Sequence, residues 1–396
     1  MRVLVVGAGY AGTTAAVRLA GRSGGRVEVT LVNPRAGFVN RLRLHQIAIG
    51  RPVAAPSVRE LVGTGVTVVE GEVVTLDPDA GRATVSGPDG VQDIAFDRVV
   101  IATGSTTAVS VPGAEHVHAV GDLESARRLR PALVAVPAGA DVAVVGGGFT
   151  GLETVAELAE ARPDVRVRLV AAGEVGGWFT PRARDHVQRT LARLDVEAVG
   201  DTRVLAVDSD RLRLEDGGEV PSALTVWCGG FAAPPLAGDA GIAVDDRGAV
   251  RTDATMRSLS HPAVMAVGDA GHAPAPDGGR YSMSCQYAFP SAAHAADLLR
   301  DEVLGLRSGT GGDGLDLGFT ARCVSLGRRH GVLQPTDKAD VAQGRAVIGR
   351  GAVAAKWVQV RGVVAAIGVE RRLPGATRWP HAARAGRAAA VAGSGR

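Results

Sequence analysis

Cysteine is scarce in this chain: Cys228, Cys285 and Cys323 stand far apart and form no short-spaced pair. That excludes a C-x-x-C redox disulfide and a cysteine-rich zinc site, and it predicts reduced thiols in the cytoplasm. His116 and His118 have no further ligands nearby, so no metal site is expected. Aromatic residues make up only 4%, which leaves the core to Val, Leu, Ala and Ile. Lysine is nearly absent: among 44 Lys and Arg residues, only Lys338 and Lys356 are lysines. The net charge of +3 is small for 396 residues and gives no reason to expect a nucleic-acid partner. No uninterrupted apolar run reaches the roughly 18 residues of a membrane span. The first residues do not read as a signal peptide, because Gly7, Gly9 and Gly12 interrupt them. No transmembrane anchor is therefore expected, while peripheral membrane contact stays open.

Glycine is plentiful, and its placement is informative. A β-branched run, residues 2–6, leads into Gly7-Ala-Gly-Tyr-Ala-Gly12, a helix-forming stretch and a second strand ending at Asn33. The pattern returns later: residues 141–145 lead into Gly146-Gly-Gly-Phe-Thr-Gly151, a helix and a strand over 165–170. Gly7, Gly9 and Gly12 map onto Gly146, Gly148 and Gly151 at one offset, so the chain holds an internal repeat of two βαβ units. Each fold then has a returning strand that ends in glycine, at Gly104 and at Gly230. Short alternating runs between Val66 and Val91 predict an antiparallel insertion. Strand-like runs near 321–325 and 346–348 follow a Gly/Ser-rich linker at 307–314, and the Ala/Arg-rich stretch 376–396 reads as a frayed helix or a disordered tail.

A G-x-G-x-x-G turn suits a pyrophosphate. Its first glycine permits the tight turn, its second lets the backbone approach the phosphates, and its third lets the helix pack on the strand. The helix then offers free N–H groups and its positive dipole end. One copy alone is weak evidence, since any glycine-rich βα turn can imitate it. Two copies in the same context point to two dinucleotides. The chemically purposeful pair is FAD with a nicotinamide, NAD(P)H, whose hydride the flavin accepts. Tyr10 and Ala11 sit within the FAD turn. The segment 264–270 delivers Gly268 and Asp269 at a strand end, where a carboxylate can accept from ribityl hydroxyls; standing alone, Asp269 would read as a turn cap. Arg41 flanks either the isoalloxazine or an anionic substrate, with a solvated surface arginine as the plainer alternative.

These motifs, together with His45–Gly50, Phe96–Ser105, Val226–Gly230 and Val324–Arg328, resemble the pyridine-nucleotide-dependent flavoproteins over residues 1–335. Within them the likeness is to type II NADH dehydrogenases and apoptosis-inducing-factor-like proteins. The resemblance implies that Val74 meets adenine through its backbone and that Ala102, Thr103 and Gly104 line the FAD. It also implies that a helix after Pro290 aims its N-terminus at the flavin, with Ala292 or a neighbour supplying an N–H. Glu153 matches the family's Glu beside the nicotinamide and the flavin, a catalytic or orienting carboxylate; a helix first-turn Glu acting through the dipole is the alternative. Three departures stand out. Asn33 replaces the usual acid at the FAD ribose. Ala171-Ala172 replaces the acid expected of an NADH-preferring enzyme. The glutamines of the quinone motif are missing from the helix that starts at Pro290.

The predicted architecture is α/β, with two Rossmann-like dinucleotide-binding domains and a small α+β C-terminal domain. Residues 1–108 and 231–305 form the discontinuous FAD domain, 109–230 the NAD(P)H domain, and 306–396 the C-terminal domain. The predicted activity is hydride transfer from NAD(P)H to FAD, with a quinone-like or small-molecule acceptor. The alternatives are a metabolite-tailoring flavoenzyme and a non-catalytic FAD-binding protein.

Overall fold

In the computed structural model, residues 1–275, 279–306 and 314–382 are described. The linker expected at 307–314 lies almost wholly outside them, as does the tail beyond 382. Strand β1 (Arg2–Val6) leads through the first glycine turn into helix α1 (Tyr10–Arg22), and β2 (Glu28–Asn33) returns beside it. A short helix, α2 (Leu44–Ala48), precedes β3 (Thr67–Glu70) and β4 (Arg98–Ile101). After β5 (Val117–Ala119) and α3 (Leu123–Ala135), the repeat begins at β6 (Asp141–Val145). It continues through α4 (Phe149–Ala161), β7 (Arg166–Val170), α5 (Pro181–Arg193), β8 (Val196–Val199) and β9 (Leu224–Trp227). Then come β10 (Val264–Ala266), α6 (Cys285–Leu304), the antiparallel β11 (Ala321–Leu326) and β12 (His330–Pro335), β13 (Val347–Ile348) and α7 (Arg350–Arg372).

The two halves of the repeat build two parallel sheets of the same design. The first has the order β10-β4-β1-β2-β3 and the second β8-β7-β6-β9-β5. In each, the strand that enters the glycine turn is central and buried on both faces, which is why both read as unbroken β-branched runs. The antiparallel insertion spans Glu72–Asp77, Arg82–Gly87 and Gly90–Ala95.

The third glycine of each turn is a packing requirement. A Cβ on Gly12 would lie 1.8 Å from the Gly7 carbonyl oxygen, and one on Gly151 would lie 1.7 Å from that of Gly146. Each helix can therefore start hard against the end of its strand. Small residues do the same work between helices: Ala11, Ala15 and Ala16 of α1 share a core with Ala288, Ala292, Ala295 and Ala296 of α6. This close approach is how a chain so poor in aromatic residues fills its interior.

Two elements differ from the sequence reading. Helix α6 begins at Cys285 with Ser284 as N-cap, whose hydroxyl accepts from the Tyr287 N–H. Pro290 therefore sits inside the helix and does not open it, and Ala292 is buried in the packed body of the helix, away from its N-terminus. Helix α7 was not foreseen. By length and composition it could cross a bilayer, although Lys356 and Arg361 break its apolar run. One face, with Ala352, Lys356, Ile367 and Glu370, is buried, while Trp357, Val358 and Val369 are exposed. Residues 376–382 continue from it without helix.

A buried ion cluster fixes α7 to the first fold. Arg18 of α1 binds Asp297 of α6 at 2.7 Å and Glu370 of α7 at 3.0 Å, and Glu370 also accepts from the N–H groups of Gly375 and Thr377. The Arg18 and Glu370 side chains are 5% and 0% exposed, so losing one partner strands the other without water. Arg18→Met is expected to lower the unfolding free energy by about 3–5 kcal/mol, read as a shift in denaturant midpoint.

Candidate functional site

The ends of both glycine turns open on one continuous cavity of about 870 Å³. Neither α1 nor α4 carries a capping side chain or an acid in its first turn, so the N–H groups that open these helices are left to an anion rather than to the chain's own side chains. Gly7 and Gly146 take left-handed backbone angles, φ +99° and +121°, that a side chain would strain. A Cβ on Gly9 or Gly148 would meet nothing within 4 Å, so ligand space reaches right up to the backbone there. These features fit the two phosphate cradles of an FAD and a nicotinamide.

Of the predicted residues, Gly7, Gly9, Tyr10, Ala11, Asn33, Arg41, Ala102, Thr103, Gly104, Gly148, Glu153, Gly268 and Asp269 line the cavity. Gly12, Gly146 and Gly151 stand behind it as backbone packing. The cavity lining does not include Val74, Gly230 or Ala292. Val74 is half exposed at an irregularity of its strand, and Glu72 reaches the cavity in its stead. Phe231 takes the position expected of Gly230.

Local hydrogen bonds orient the lining. Asn33 accepts from the Ala8 N–H at 2.9 Å and donates to the Arg35 carbonyl at 2.7 Å. That leaves one lone pair and one N–H for a ribose hydroxyl. Arg41 donates to the Ser105 carbonyl and hydroxyl oxygens, and the Ser105 hydroxyl donates to Asp269 at 2.7 Å. Arg41 is therefore a strut for the Asp269 loop and not a free surface cation. Gln286, in the first turn of α6, lines the cavity and donates to the Ala321 carbonyl at 3.0 Å. Reading the helix as starting at Pro290 is what concealed this glutamine.

Glu153 lies one full turn into α4, so the first-turn dipole reading does not apply to it. Its carboxylate meets Lys356 of α7 at 2.9 Å and accepts from the backbone N–H and the hydroxyl of Ser325 on β11. Burial alone would push Glu153 up, but Lys356 and these donors outweigh it and hold the carboxyl below its usual range. Burial works against Lys356 as well, yet Glu153 lifts its ammonium above the usual value. Both remain charged. Further along the same helix face, Glu157 binds Arg51 and Arg328, and Glu160 accepts from the Arg328 N–H. The i, i+4, i+7 spacing of three acids on an apolar helix was a readable sign of counter-cations packed against that face. Lys356 had its own signal as one of two lysines in an arginine-rich chain.

The thiols are not set up for redox exchange. Burial pushes Cys228 up to about 12 and Cys323 up to about 11, so neither offers a thiolate. His45 of α2 joins the Glu153 cluster with Nδ1 3.9 Å from the carboxylate. Burial drives its pKa from 6.5 down to about 4, against the pull of Glu153. The unfolded chain therefore binds a proton at His45 that the folded chain refuses between those values. Stability is expected to fall by up to about 3 kcal/mol as pH drops from 6.5 to 4. Denaturant unfolding at stepped pH measures this, and His45→Gln should flatten that part of the profile.

Residues 1–297 match the family described as pyridine nucleotide-disulphide oxidoreductase. A NADH dehydrogenase-like protein of Mycobacterium tuberculosis is 32% identical over 335 residues, covering 77% of this chain and 83% of that protein. Demethylphylloquinone reductase NdbB of Synechocystis is 27% identical over 315 residues, covering 74% and 78%. Among solved structures, NDH2 from Plasmodium falciparum in complex with NADH superposes with a TM-score of 0.76 at 14% identity, over 95% of this chain and 99% of that one. The sulfide:quinone oxidoreductase of Aquifex aeolicus also reaches 0.76, at 17% identity over 93% and 91%. The chain belongs to the pyridine nucleotide-disulphide oxidoreductase family and is an oxidoreductase that uses FAD and NAD(P)H.

Proposed function

We propose that this enzyme takes hydride from NAD(P)H and delivers the electrons to a quinone-type acceptor. The observation that carries the reading is the single cavity: both glycine turns, the start of α6 and the Glu153–Lys356 pair line one space. The donor and the acceptor can thus reach the same bound group. FAD, when bound, supplies the two-electron relay between them.

On this reading the Gly7–Gly12 turn, Asn33, Ala102–Gly104 and Asp269 hold the FAD, within a unit made of residues 1–108 and 231–305. The Gly146–Gly151 turn, in 109–230, receives the nicotinamide nucleotide. The first-turn N–H groups of α6 favour negative charge where that helix meets the cavity. Glu153, fixed by Lys356 and Ser325, orients the nicotinamide and keeps its carboxylate. The quinone-type acceptor is supported by the names of the relatives and by Gln286, which lines the cavity and offers polar atoms to a carbonyl oxygen. The exposed apolar residues Trp357, Val358 and Val369 of α7 support peripheral contact with the membrane that holds such acceptors. Three free thiols support a reducing, cytoplasmic setting.

In the nicotinamide fold β7 is followed by buried Ala171, and the next acid, Glu174, is bound by Arg184 at 2.8 Å. Neither position presents a free carboxylate to reject a 2′-phosphate. Anaerobic titration of the yellow holoprotein should therefore show bleaching by NADH and by NADPH, with rates within roughly 10-fold of each other. A soluble quinone should then restore the colour. Bleaching by neither nucleotide would overturn the proposal.

A further inference from the structure

A second recess, of about 500 Å³, lies outside the cofactor cavity and shares no lining residue with it. Its walls come from four separate parts of the fold. Arg51 follows α2, Glu160 belongs to the last turn of α4, Arg193 ends α5, and Arg328 and Arg329 form the tip of the β11–β12 hairpin. Arg193, Arg328 and Arg329 are exposed and Arg51 is half-buried, so solvent reaches these guanidinium groups directly.

The chain answers their charge only in part. Glu157, whose side chain is 1% exposed, pairs with Nε of Arg51 at 3.0 Å and Nε of Arg328 at 3.2 Å. Glu160 turns both carboxylate oxygens to the Arg328 backbone N–H, so it serves the hairpin turn and not a guanidinium. Arg193 and Arg329 have no ion-pair or hydrogen-bond partner among the described residues. Four guanidinium groups thus face two carboxylates. Even with about half a negative charge from the end of each helix, the recess stays positive. The field reaches further: Arg43, ahead of α2, is held below its usual value by burial first and then by Arg328 and Arg361.

We propose that this recess is a binding site for a phosphate-bearing anion. A guanidinium presents its donors as a planar fork that matches phosphate oxygens two at a time. A phosphate group offers three acceptor oxygens, enough for forks arriving from different elements. Concave walls carrying one sign of charge also concentrate such an anion before it docks. A free phosphate or pyrophosphate ester and a phospholipid headgroup present the same chemistry to these forks. The site does not depend on the acceptor assigned above.

The test uses the FAD-loaded protein with NAD⁺ in excess, so that both glycine turns are filled. Inorganic pyrophosphate is titrated by calorimetry at fixed ionic strength. It should bind, and Arg193→Ala combined with Arg329→Ala should weaken it at least about 10-fold. Arg329→Lys, which keeps the charge and loses the fork, should weaken it less than the double change. Both arginines are unpaired, so FAD content and unfolding midpoint should match the wild type. Sedimentation with phosphatidylcholine vesicles, with and without cardiolipin, separates the two sources. Cardiolipin-dependent sedimentation that the double variant loses assigns the headgroup; pyrophosphate binding without it assigns a free phosphate. Binding of neither probe, or binding that the double variant leaves unchanged, overturns the proposal. No arm requires hydride transfer, so its failure is distinct from a failure of NAD(P)H to bleach the protein.

Discussion

The Glu153–Lys356 ion pair is the contact on which the arrangement of the site turns. It joins a helix of the second parallel sheet to the C-terminal helix, with the two side chains 5% and 10% exposed. Ser325 adds the third element, β11, by donating to the same carboxylate oxygen. A charge pair this dry persists only when geometry and hydrogen bonds offset its desolvation. The offset here depends on three distant segments being packed correctly at once. The α4 face continues the same logic with Glu157 and Glu160 against Arg328, so the C-terminal sheet is held along the whole helix. The Arg18–Glu370 cluster fixes the other end of α7 to α1. The cavity wall on the α7 side thus hangs from two buried ionic anchors, one on each dinucleotide fold.

Much of the fold was legible because the constraints behind it are local. A β-branched run, a glycine turn and a small-residue helix admit few arrangements, and repetition at one offset gave both parallel sheets. What escaped was set by tertiary context. Pro290 looks like a helix opener because proline favours the first helical position. The true cap is Ser284, and Pro290 is carried inside a helix held by packing against α1. Helix α7 lacks a capping side chain and is interrupted by charge, so its apolar residues form no continuous run. Its register follows from Lys356 and Glu370 finding partners that are far away in sequence.

The site was legible to the same degree. Residues tied to backbone shape, such as Gly7, Gly9 and Gly148, could be located from spacing alone. Residues whose role depends on a distant partner could not. Arg41 supports Ser105 and Asp269 where a free cation was one reading, and Val74 gives way to Glu72. Lys356 stayed in plain view as a rare lysine among arginines. Its compact ammonium with three donors serves Glu153 and the Cys323 carbonyl together.

The most direct measurement of this account is a double-mutant cycle on the unfolding free energy with Glu153→Gln, Lys356→Met and the combined variant. If the pair anchors the C-terminal helix, each single change leaves a buried charge unpartnered, and the double variant is more stable than at least one single by about 2 kcal/mol or more. Additive losses, with the double variant the least stable of all, would contradict it.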